Sequence, residues 1–178
     1  MKATSPVKFT QGVNERFVFF CSHREGAVTP CFSNWYPSTF TVTLEGHDIT
    51  FSSSEQYLMY KKALLFGDYE VADMLLHTKD PAEIKKLGRE VKNFDIARWN
   101  GACELIMYEG LMAKFRQNPL MLEILLVSDN AIIAEAASYD RIWGTGLKAT
   151  DPLILDQKTW KGTNLLGQAL MKVRADLK

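Results

Sequence analysis

Short runs of apolar residues separated by polar turns occupy the first third of the chain, and this pattern predicts strands. Phe17–Phe20 is a run of aromatic and β-branched residues. Phe40–Leu44 and Asp48–Phe51 flank Glu45–His47, which is typical of a hairpin connection. We therefore expect a small antiparallel sheet near the N-terminus, with Ala131–Ala136 as a further candidate strand.

Beyond residue 51 the spacing of apolar residues and of capping residues predicts helices. Ser52 and Glu55 have the spacing of a capping box, and the helix that they open runs to about Phe66, before Gly67. Further helices are predicted at Asp68–Leu76, at Pro81–Leu87 with Gly88 after its end, and at Asp95–Phe115, Pro119–Val127 and Thr163–Leu177. The expected fold class is α+β, a predominantly helical single domain over residues 1–178 with a small antiparallel sheet near the N-terminus.

The composition is that of a globular domain and carries no excess of charge. Of the 178 residues, 47% are hydrophobic, and 21 Lys and Arg balance 21 Asp and Glu. No overall positive field therefore attracts nucleic acid or an anionic membrane, although local patches remain compatible with this balance. Met1–Thr10 has no apolar core and no uncharged apolar run of 18 residues occurs, so we expect a cytoplasmic protein with no membrane partner.

Cysteine and histidine patterns argue against metal chemistry. The three cysteines, Cys21, Cys31 and Cys103, lack CxxC spacing, and the three histidines lack metal-ligand spacing. The sequence also contains no phosphate-binding P-loop, no dinucleotide fingerprint and no serine-esterase motif. We expect no metal and no cofactor.

Charged residues fall within the apolar pattern of the helix that begins near Ser52. Glu55, Met59, Lys62 and Phe66 follow one another at i, i+4, i+7 and i+11 and share one face. The rest of this helix is apolar nearly all round, so its charges must be paired, hydrogen-bonded or turned towards a cavity. Two interpretations remain open: a functional pair of charges, or a capping Glu55 with a Lys62 that extends to solvent.

Two further cations are candidates for binding an anion. Arg89 and Lys114 carry groups that donate charge-assisted hydrogen bonds to phosphate. A cation near the C-terminal end of a helix is equally expected as a partner of the helix dipole. Trp99 lies on an apolar stripe, and core packing is the default interpretation of its ring.

The segment Glu135–Gly146 combines acidic, aromatic and glycine residues in a predicted loop. Trp143 offers a stacking face for a heteroaromatic ring, and Gly144 and Gly146 let backbone approach a ligand closely. Asp140 could transfer a proton or stabilise a developing positive charge. The alternative is an Asx turn or cap before Arg141.

The start of the last predicted helix offers another place for an anion. Lys161–Asn164 is expected to present free backbone N–H groups beside a cation, an arrangement that suits phosphate. Capping of the helix by Thr163 is the alternative.

Six segments, in this order, resemble the NADAR, or YbiA-like, family. They are Phe32–Pro37, Ser53–Ala63, Gly88-Arg89 with Trp99 following, Lys114-Phe115, Tyr139–Gly146 and Trp160–Gly167. The match spans about residues 17–174, and six ordered motifs are far more specific than any single one.

The resemblance implies a YbiA-like fold and an N-glycosidase, a hydrolase that acts on N-glycosyl bonds. The implied substrate is an early riboflavin-pathway intermediate, in which a ribose phosphate is bonded to an aminopyrimidine. Alternatives are an ADP-ribosyl glycosidase that removes ADP-ribose from modified guanine in nucleic acid, and a non-catalytic module that binds ADP-ribose or a nucleotide. Glu55 and Asp140 match the acidic positions of the family, and Lys62, Trp99, Trp143 and Asn164 match pocket positions.

Cleavage of an N-glycosyl bond needs few groups. It passes through an oxocarbenium-like ribosyl centre, so a carboxylate, a route for protonating the leaving nitrogen and a positioned water suffice. We expect Glu55 to activate water or stabilise the cation, and Asp140 to orient the ribose or assist proton transfer. The predicted substrate-binding residues are Asn34, Trp35, Lys62, Arg89, Trp99, Lys114, Trp143, Gly144 and Asn164, with Trp143 or Trp35 stacking on the base and Lys62, Arg89 or Lys114 at phosphate.

Overall fold

The computed structural model describes residues 7–12 and 14–178. The chain forms two compact units: a terminal unit made of the residues up to Ser33 together with Pro119–Lys178, and an inserted unit made of Asn34–Asn118. The expectation for Met1–Thr10 lies largely outside the described residues.

The inserted unit begins with a two-stranded antiparallel hairpin, β3 (Phe40–Leu44) and β4 (His47–Phe51). Glu45 and Gly46 form the turn with φ of 50° and 84°. Positive φ at both central residues is the requirement of a two-residue type I′ turn. The connection is therefore one residue shorter than predicted, and His47 pairs with Leu44.

Four helices follow the hairpin. They are α1 (Ser54–Leu65), α2 (Tyr69–His77), α3 (Pro81–Glu90) and α4 (Ile96–Gln117). α2, α3 and α4 each begin after an aspartate whose side chain accepts a hydrogen bond from a backbone N–H of the first turn, the N-terminal signal present in the sequence. α1 packs against the other three helices and buries most of its surface, as its nearly continuous apolar pattern predicts.

Two glycines allow α1 to lie this close to its neighbours. Gly88 is inside α3, not after its end as predicted, and an added Cβ there would lie 2.0 Å from the sulfur of Met59. In α4, a Cβ on Gly110 would lie 2.5 Å from the ring of Tyr57, which is 1% exposed. Close helix packing explains why α3 continues through a glycine that the sequence pattern treats as a stop signal.

The terminal unit contains a separate mixed sheet in the order β1 (Thr10–Gln11), β2 (Arg16–Phe20), β5 (Ile132–Glu135). β2 is antiparallel to β1 and parallel to β5. The N-terminal strand therefore does not join the hairpin, because its partner lies more than a hundred residues away in the sequence. One aromatic-rich cluster beside this sheet includes Phe17, Phe19, Leu147 and Ile154.

Two helices complete the terminal unit, α5 (Pro119–Val127) and α6 (Leu165–Asp176), with short 3-10 turns at Pro30–Phe32, Pro152–Leu155 and Gln157–Thr159. α6 lies against β5 at Gly167, where a Cβ would be 2.1 Å from the carbonyl oxygen of Ile133. Six α-helices and two small sheets among the described residues confirm the predicted α+β class.

Candidate active site

Glu55 lies in the first turn of α1 and is 5% exposed. The capping box is one residue later than predicted: Ser53 accepts from the Gln56 N–H at 3.2 Å, and the Gln56 side chain accepts from the Ser52 N–H at 2.6 Å. The predicted box of Ser52 with Glu55 is therefore wrong. The Gln56 side chain reaches back to the residue before the N-cap, so this capping arrangement does not use the Glu55 carboxylate.

Two residues that adjoin Glu55 each have a buried side-chain oxygen without a hydrogen-bond partner among the described residues. These oxygens are Oδ1 of Asn34 and Oγ of Ser54, whose residues are 7% and 1% exposed. Asn34 is held next to Glu55, because its backbone carbonyl accepts from the Glu55 N–H at 3.0 Å. An unpaired buried polar atom costs about 1–3 kcal/mol, so these oxygens indicate a place for water or a ligand.

Lys62 lies two turns further along α1, on the same face as Glu55. Its ammonium donates to the Gly88 carbonyl at 2.6 Å and lies 4.4 Å and 5.6 Å from the ring centroids of Phe94 and Trp99. Burial lowers the pKa of Lys62 below its ordinary value. Lys62 is therefore held against two aromatic rings and does not extend into solvent as a surface lysine would.

The other predicted binding residues of the inserted unit differ in how deeply they are buried. Trp35 is half-buried, with the Lys85 ammonium 5.6 Å from its ring centroid, and Arg89 is exposed in the last turn of α3. Lys114 is fully buried in α4. A buried ammonium must be neutralised or hydrogen-bonded within the protein, so a structural role accounts for its position.

In the terminal unit, the Asp140 side chain organises its own loop. Its Oδ1 accepts from the N–H groups of Ile142 and Trp143 at 2.9 and 2.8 Å, the Asx-turn geometry that the sequence left open. Oδ2 makes no hydrogen bond to the described residues. One oxygen fixes the turn, and the other is available for chemistry.

Trp143 and the loop glycines follow directly from this turn. The Trp143 ring is half-buried, and the residue's carbonyl accepts from the Leu166 N–H at 3.1 Å. A Cβ on Gly144 would lie 3.0 Å from the Glu135 carbonyl oxygen and 3.1 Å from that of Asp140. The close approach at Gly144 is thus to the protein's own backbone.

Asn164 is almost fully buried in the left-handed conformation, with φ of 53°. Its side-chain amide donates to the Ile133 carbonyl at 3.0 Å and accepts from the Glu135 N–H at 3.0 Å. These are the bonds that a parallel neighbouring strand would make to the free edge of β5. Asn164 therefore connects the start of α6 to β5.

The prediction that free backbone N–H groups of Lys161–Asn164 bind phosphate is wrong. The N–H groups of these four residues donate to the carbonyls of Arg141, Gly144 and Thr145, at 2.9–3.0 Å. The capping alternative is also wrong, because Thr163 Oγ1 donates to the Ile142 carbonyl at 2.6 Å and the N-cap residue is Asn164. The segment holds the Asp140 loop in place.

The sequence pattern missed Ser54, Phe94 and Tyr139. Ser54 was hidden in a serine run that suggested only capping, and Phe94 precedes α4 outside any periodic pattern. Partial desolvation of the phenol and the negative charges of Glu135 and Asp140 raise the pKa of Tyr139, although its side chain is largely exposed, which places two carboxylates near one phenol.

The structure thus forms two local groups from the predicted site residues. One is in the inserted unit, at Asn34, Glu55 and Lys62 with Trp99; the other is in the terminal unit, at Asp140, Trp143, Gly144 and Asn164. Within the described residues no group of three or more His, Cys, Asp or Glu could hold a metal ion. None of the helices that the structure describes combines the length and hydrophobicity needed to cross a bilayer.

Several known proteins are similar to this chain in sequence, and one of them in fold. N-glycosidase R617 of Acanthamoeba polyphaga mimivirus is 38% identical over 164 residues, which cover 91% of this chain and 96% of that protein. Riboflavin biosynthesis protein VVA0006 of Vibrio vulnificus is 28% identical over 145 residues, covering 82% of this chain and 35% of that protein. The NMR structure of Escherichia coli YbiA, a protein named an N-glycosidase, matches with a TM-score of 0.71 at 25% identity, covering 94% of this chain and 88% of that one.

These names agree with the class of enzyme predicted from the sequence, a hydrolase of N-glycosyl bonds. A model of the NADAR domain matches residues 19–178 and so spans most of both units. With this match and a relative 38% identical along nearly its whole length, the chain belongs to the NADAR family.

Proposed function

We propose that this protein is an N-glycosidase that hydrolyses the C–N bond between a ribose phosphate and an aminopyrimidine in an early riboflavin-pathway intermediate. The observation that carries the proposal is the burial of Glu55 together with two adjoining residues, Asn34 and Ser54, whose buried side-chain oxygens have no hydrogen-bond partner among the described residues. A relative named for riboflavin biosynthesis supports the choice of substrate.

The reaction breaks the bond from the ribosyl carbon to nitrogen, attaches a water oxygen to that carbon and leaves a proton on the departing nitrogen. Glu55 accepts a proton from the attacking water or stabilises the ribosyl cation. Its position in the first turn of α1 suits either role, because the N-terminal end of a helix favours a negative charge. The Asn34 and Ser54 oxygens are available to position water or a ribose hydroxyl.

Asp140 is the second acidic group in the proposal. With Oδ1 fixed by two backbone N–H groups, its Oδ2 orients the ribose or assists transfer of a proton to the leaving nitrogen. Trp143, three residues after Asp140 in the same turn, supplies the stacking face for the base. None of these steps requires a cofactor.

Lys62 is assigned to an oxygen-rich part of the substrate. An ammonium has three N–H donors, and the Gly88 carbonyl takes one of them, which leaves two for phosphate or ribose. ADP-ribosylated guanine in nucleic acid is the alternative substrate. The balance of 21 positive and 21 negative side chains favours the small molecule, since nucleic-acid binding depends strongly on positive charge.

We place the enzyme in the cytoplasm because it keeps three free cysteines. Cys21 is exposed, while Cys31 and Cys103 are buried. Reduced thiols of this kind are usual in a reducing compartment. Recovery of the native protein from a secreted fraction would contradict this placement.

The test compares Glu55→Gln with wild type on the phosphorylated ribosylaminopyrimidine and on ADP-ribosylated guanine in an oligonucleotide, with released base measured by chromatography. We expect release from the pyrimidine substrate and a loss of at least about a hundredfold in turnover for Glu55→Gln, the scale of losing an acid-base group. Glu104→Gln, at an exposed position of α4, is the matched control and should retain wild-type turnover.

Matching circular dichroism spectra and melting temperatures would establish that Glu55→Gln is folded. Near-normal turnover in the folded variant would remove Glu55 from the mechanism. Release from the guanine substrate alone would replace the proposed substrate with the alternative.

A further inference from the structure

A strongly cationic pocket lies in the terminal unit, apart from the residues assigned above. Its volume is about 400 Å³, and its lining includes Arg141, Lys148 and Lys161 together with Ser138, Gly146 and Thr150. This volume falls within the usual range of small-molecule sites. Three cations and two hydroxyls are a donor set for an anion.

The loop backbone holds the first side-chain carbons of two of these cationic residues, Arg141 and Lys161, close to Gly146. Gly146 has a φ of 69°, and a Cβ built there would lie 2.9 Å from Cβ of Lys161 and 3.3 Å from Cγ of Arg141. The Thr163 N–H donates to the Arg141 carbonyl at 3.0 Å, and the Lys161 N–H donates to the Thr145 carbonyl at 3.0 Å. The bases of the two side chains therefore flank the glycine in a fixed arrangement.

Positive charge exceeds negative charge in the lining of this pocket, which has three cations and one carboxylate. In the part of the chain that the structure describes, no carboxylate forms an ion pair with Arg141, Lys148 or Lys161. The acidic residue of the lining, Asp151, uses its Oδ1 to accept from the Leu153 N–H at 3.0 Å. Because the whole chain has a formal net charge of zero, this concentration of cations is a local feature and favours an anionic ligand.

We propose that this pocket binds a phosphate group of the substrate. Arg141 adjoins Asp140, and Gly146 donates its N–H to the Asp140 carbonyl at 3.1 Å, so the pocket is built on the loop that carries Asp140 and Trp143. The identification of that phosphate with the substrate rests on the proposed function; the binding of phosphate does not. The group is either the phosphate of a ribose monophosphate or one phosphate of a diphosphate.

Binding is tested without turnover, by calorimetric titration of inorganic phosphate and of pyrophosphate at a fixed, low ionic strength. The test variant carries Arg141→Gln, Lys148→Gln and Lys161→Gln. We expect it to bind the preferred anion at least about tenfold more weakly than wild type, since charge-assisted hydrogen bonds are lost. If the triple variant does not fold, Lys148→Gln alone, at an exposed residue, takes its place. This single variant should show a smaller loss of anion affinity than is expected for the triple variant.

The control variant removes the same amount of charge elsewhere, from exposed cations of the inserted unit. It carries Lys79→Gln, Lys86→Gln and Arg116→Gln. This variant should bind phosphate and pyrophosphate as wild type does. Equal losses in the two triple variants would overturn the proposal, because they would show a response to net charge and not to a pocket.

Two other binding results would also overturn it: no binding of either anion by wild type, or wild-type affinity in a folded pocket variant. Preference for phosphate over pyrophosphate would assign the pocket to a monophosphate, and the reverse preference to a diphosphate. In the enzyme assay, the pocket variant should raise KM for the phosphorylated ribosyl substrate and leave KM for its dephosphorylated form unchanged. Intact phosphate binding in a protein that cleaves no ribosyl substrate would contradict the proposed function and leave the pocket in place.

Discussion

Replacement of Asn164 by glycine tests whether its side chain holds the start of α6 to β5. The amide satisfies two backbone groups of one strand, the Ile133 carbonyl and the Glu135 N–H, each at 3.0 Å. Glycine adopts the left-handed conformation of this position, φ 53°, without strain, so the substitution removes the buried amide and its two hydrogen bonds while the backbone keeps its conformation.

The size of the effect follows from what the substitution leaves unpaired. Each buried backbone group without a partner costs about 1–3 kcal/mol. Ile133 is fully buried and Glu135 is half-buried, so we expect a loss of about 2–4 kcal/mol in the free energy of unfolding. For a chain of this length this corresponds to a fall of about 4–16 °C in Tm.

The assay is urea unfolding followed by circular dichroism, with Asn93→Gly as the matched control. Asn93 is exposed and has a φ of 55°, so the same substitution there changes the flexibility of the unfolded chain without removing a buried amide. A difference of less than about 0.5 kcal/mol between the two variants would refute the reasoning, because additive errors of that size are ordinary. It would return Asn164 to the role of a pocket residue alone, which the family resemblance implies.

Two further predictions concern stability. Gly110→Ala should lower the free energy of unfolding by about 1–3 kcal/mol, because its Cβ would meet the buried Tyr57 ring. Gly101→Ala, on the same helix with nothing within 4 Å, should raise it by about 0.5–1 kcal/mol. The two variants should therefore shift the urea unfolding midpoint in opposite directions. Hydrogen bonds from the backbone of Lys92 and Val71, together with the Lys92 charge, lower the pKa of Asp68 below its ordinary 3.8. The ionised side chain therefore stabilises the fold fully above pH 3.8, and this contribution is lost as pH falls through the folded-state pKa. Asp68→Asn should therefore be less stable than wild type at pH 7 and converge with it near pH 2; an equal gap at both pH values would contradict this.

Much of the secondary structure could be predicted from local patterns. Pro119–Val127 is observed with the predicted bounds, and the aspartates before α2 and α4 mark helix starts as expected. Gly88 could not be interpreted correctly, because its reason for being in α3 is the position of Met59 on another helix. The pairing of β2 with β5 was equally hidden, since no local pattern encodes a partner so distant in sequence.

The candidate site was predictable in its residue types more than in its contacts. The spacing of Glu55 and Lys62 on one face was sufficient to single them out, but the aromatic ring of Phe94 beneath Lys62 comes from outside that helix. Asn164 illustrates the limit most clearly. A sequence shows an asparagine at the start of a helix, while its bonds to Ile133 and Glu135 exist only after β5 and α6 have packed.

The loop that carries Asp140 and Trp143 is fixed both by a local turn and by contacts with a segment distant in the sequence. Backbone N–H groups from Lys161 to Leu166 donate to its carbonyls, and Oδ1 of Asp140 fixes the turn from within. A loop with its backbone bonds satisfied in this way holds its side chains in place before a substrate arrives, which lowers the entropic cost of orienting reacting groups. Sequence change at the start of α6 should therefore alter the proposed site through the geometry of Asp140 and Trp143, even at residues assigned no contact with the proposed substrate.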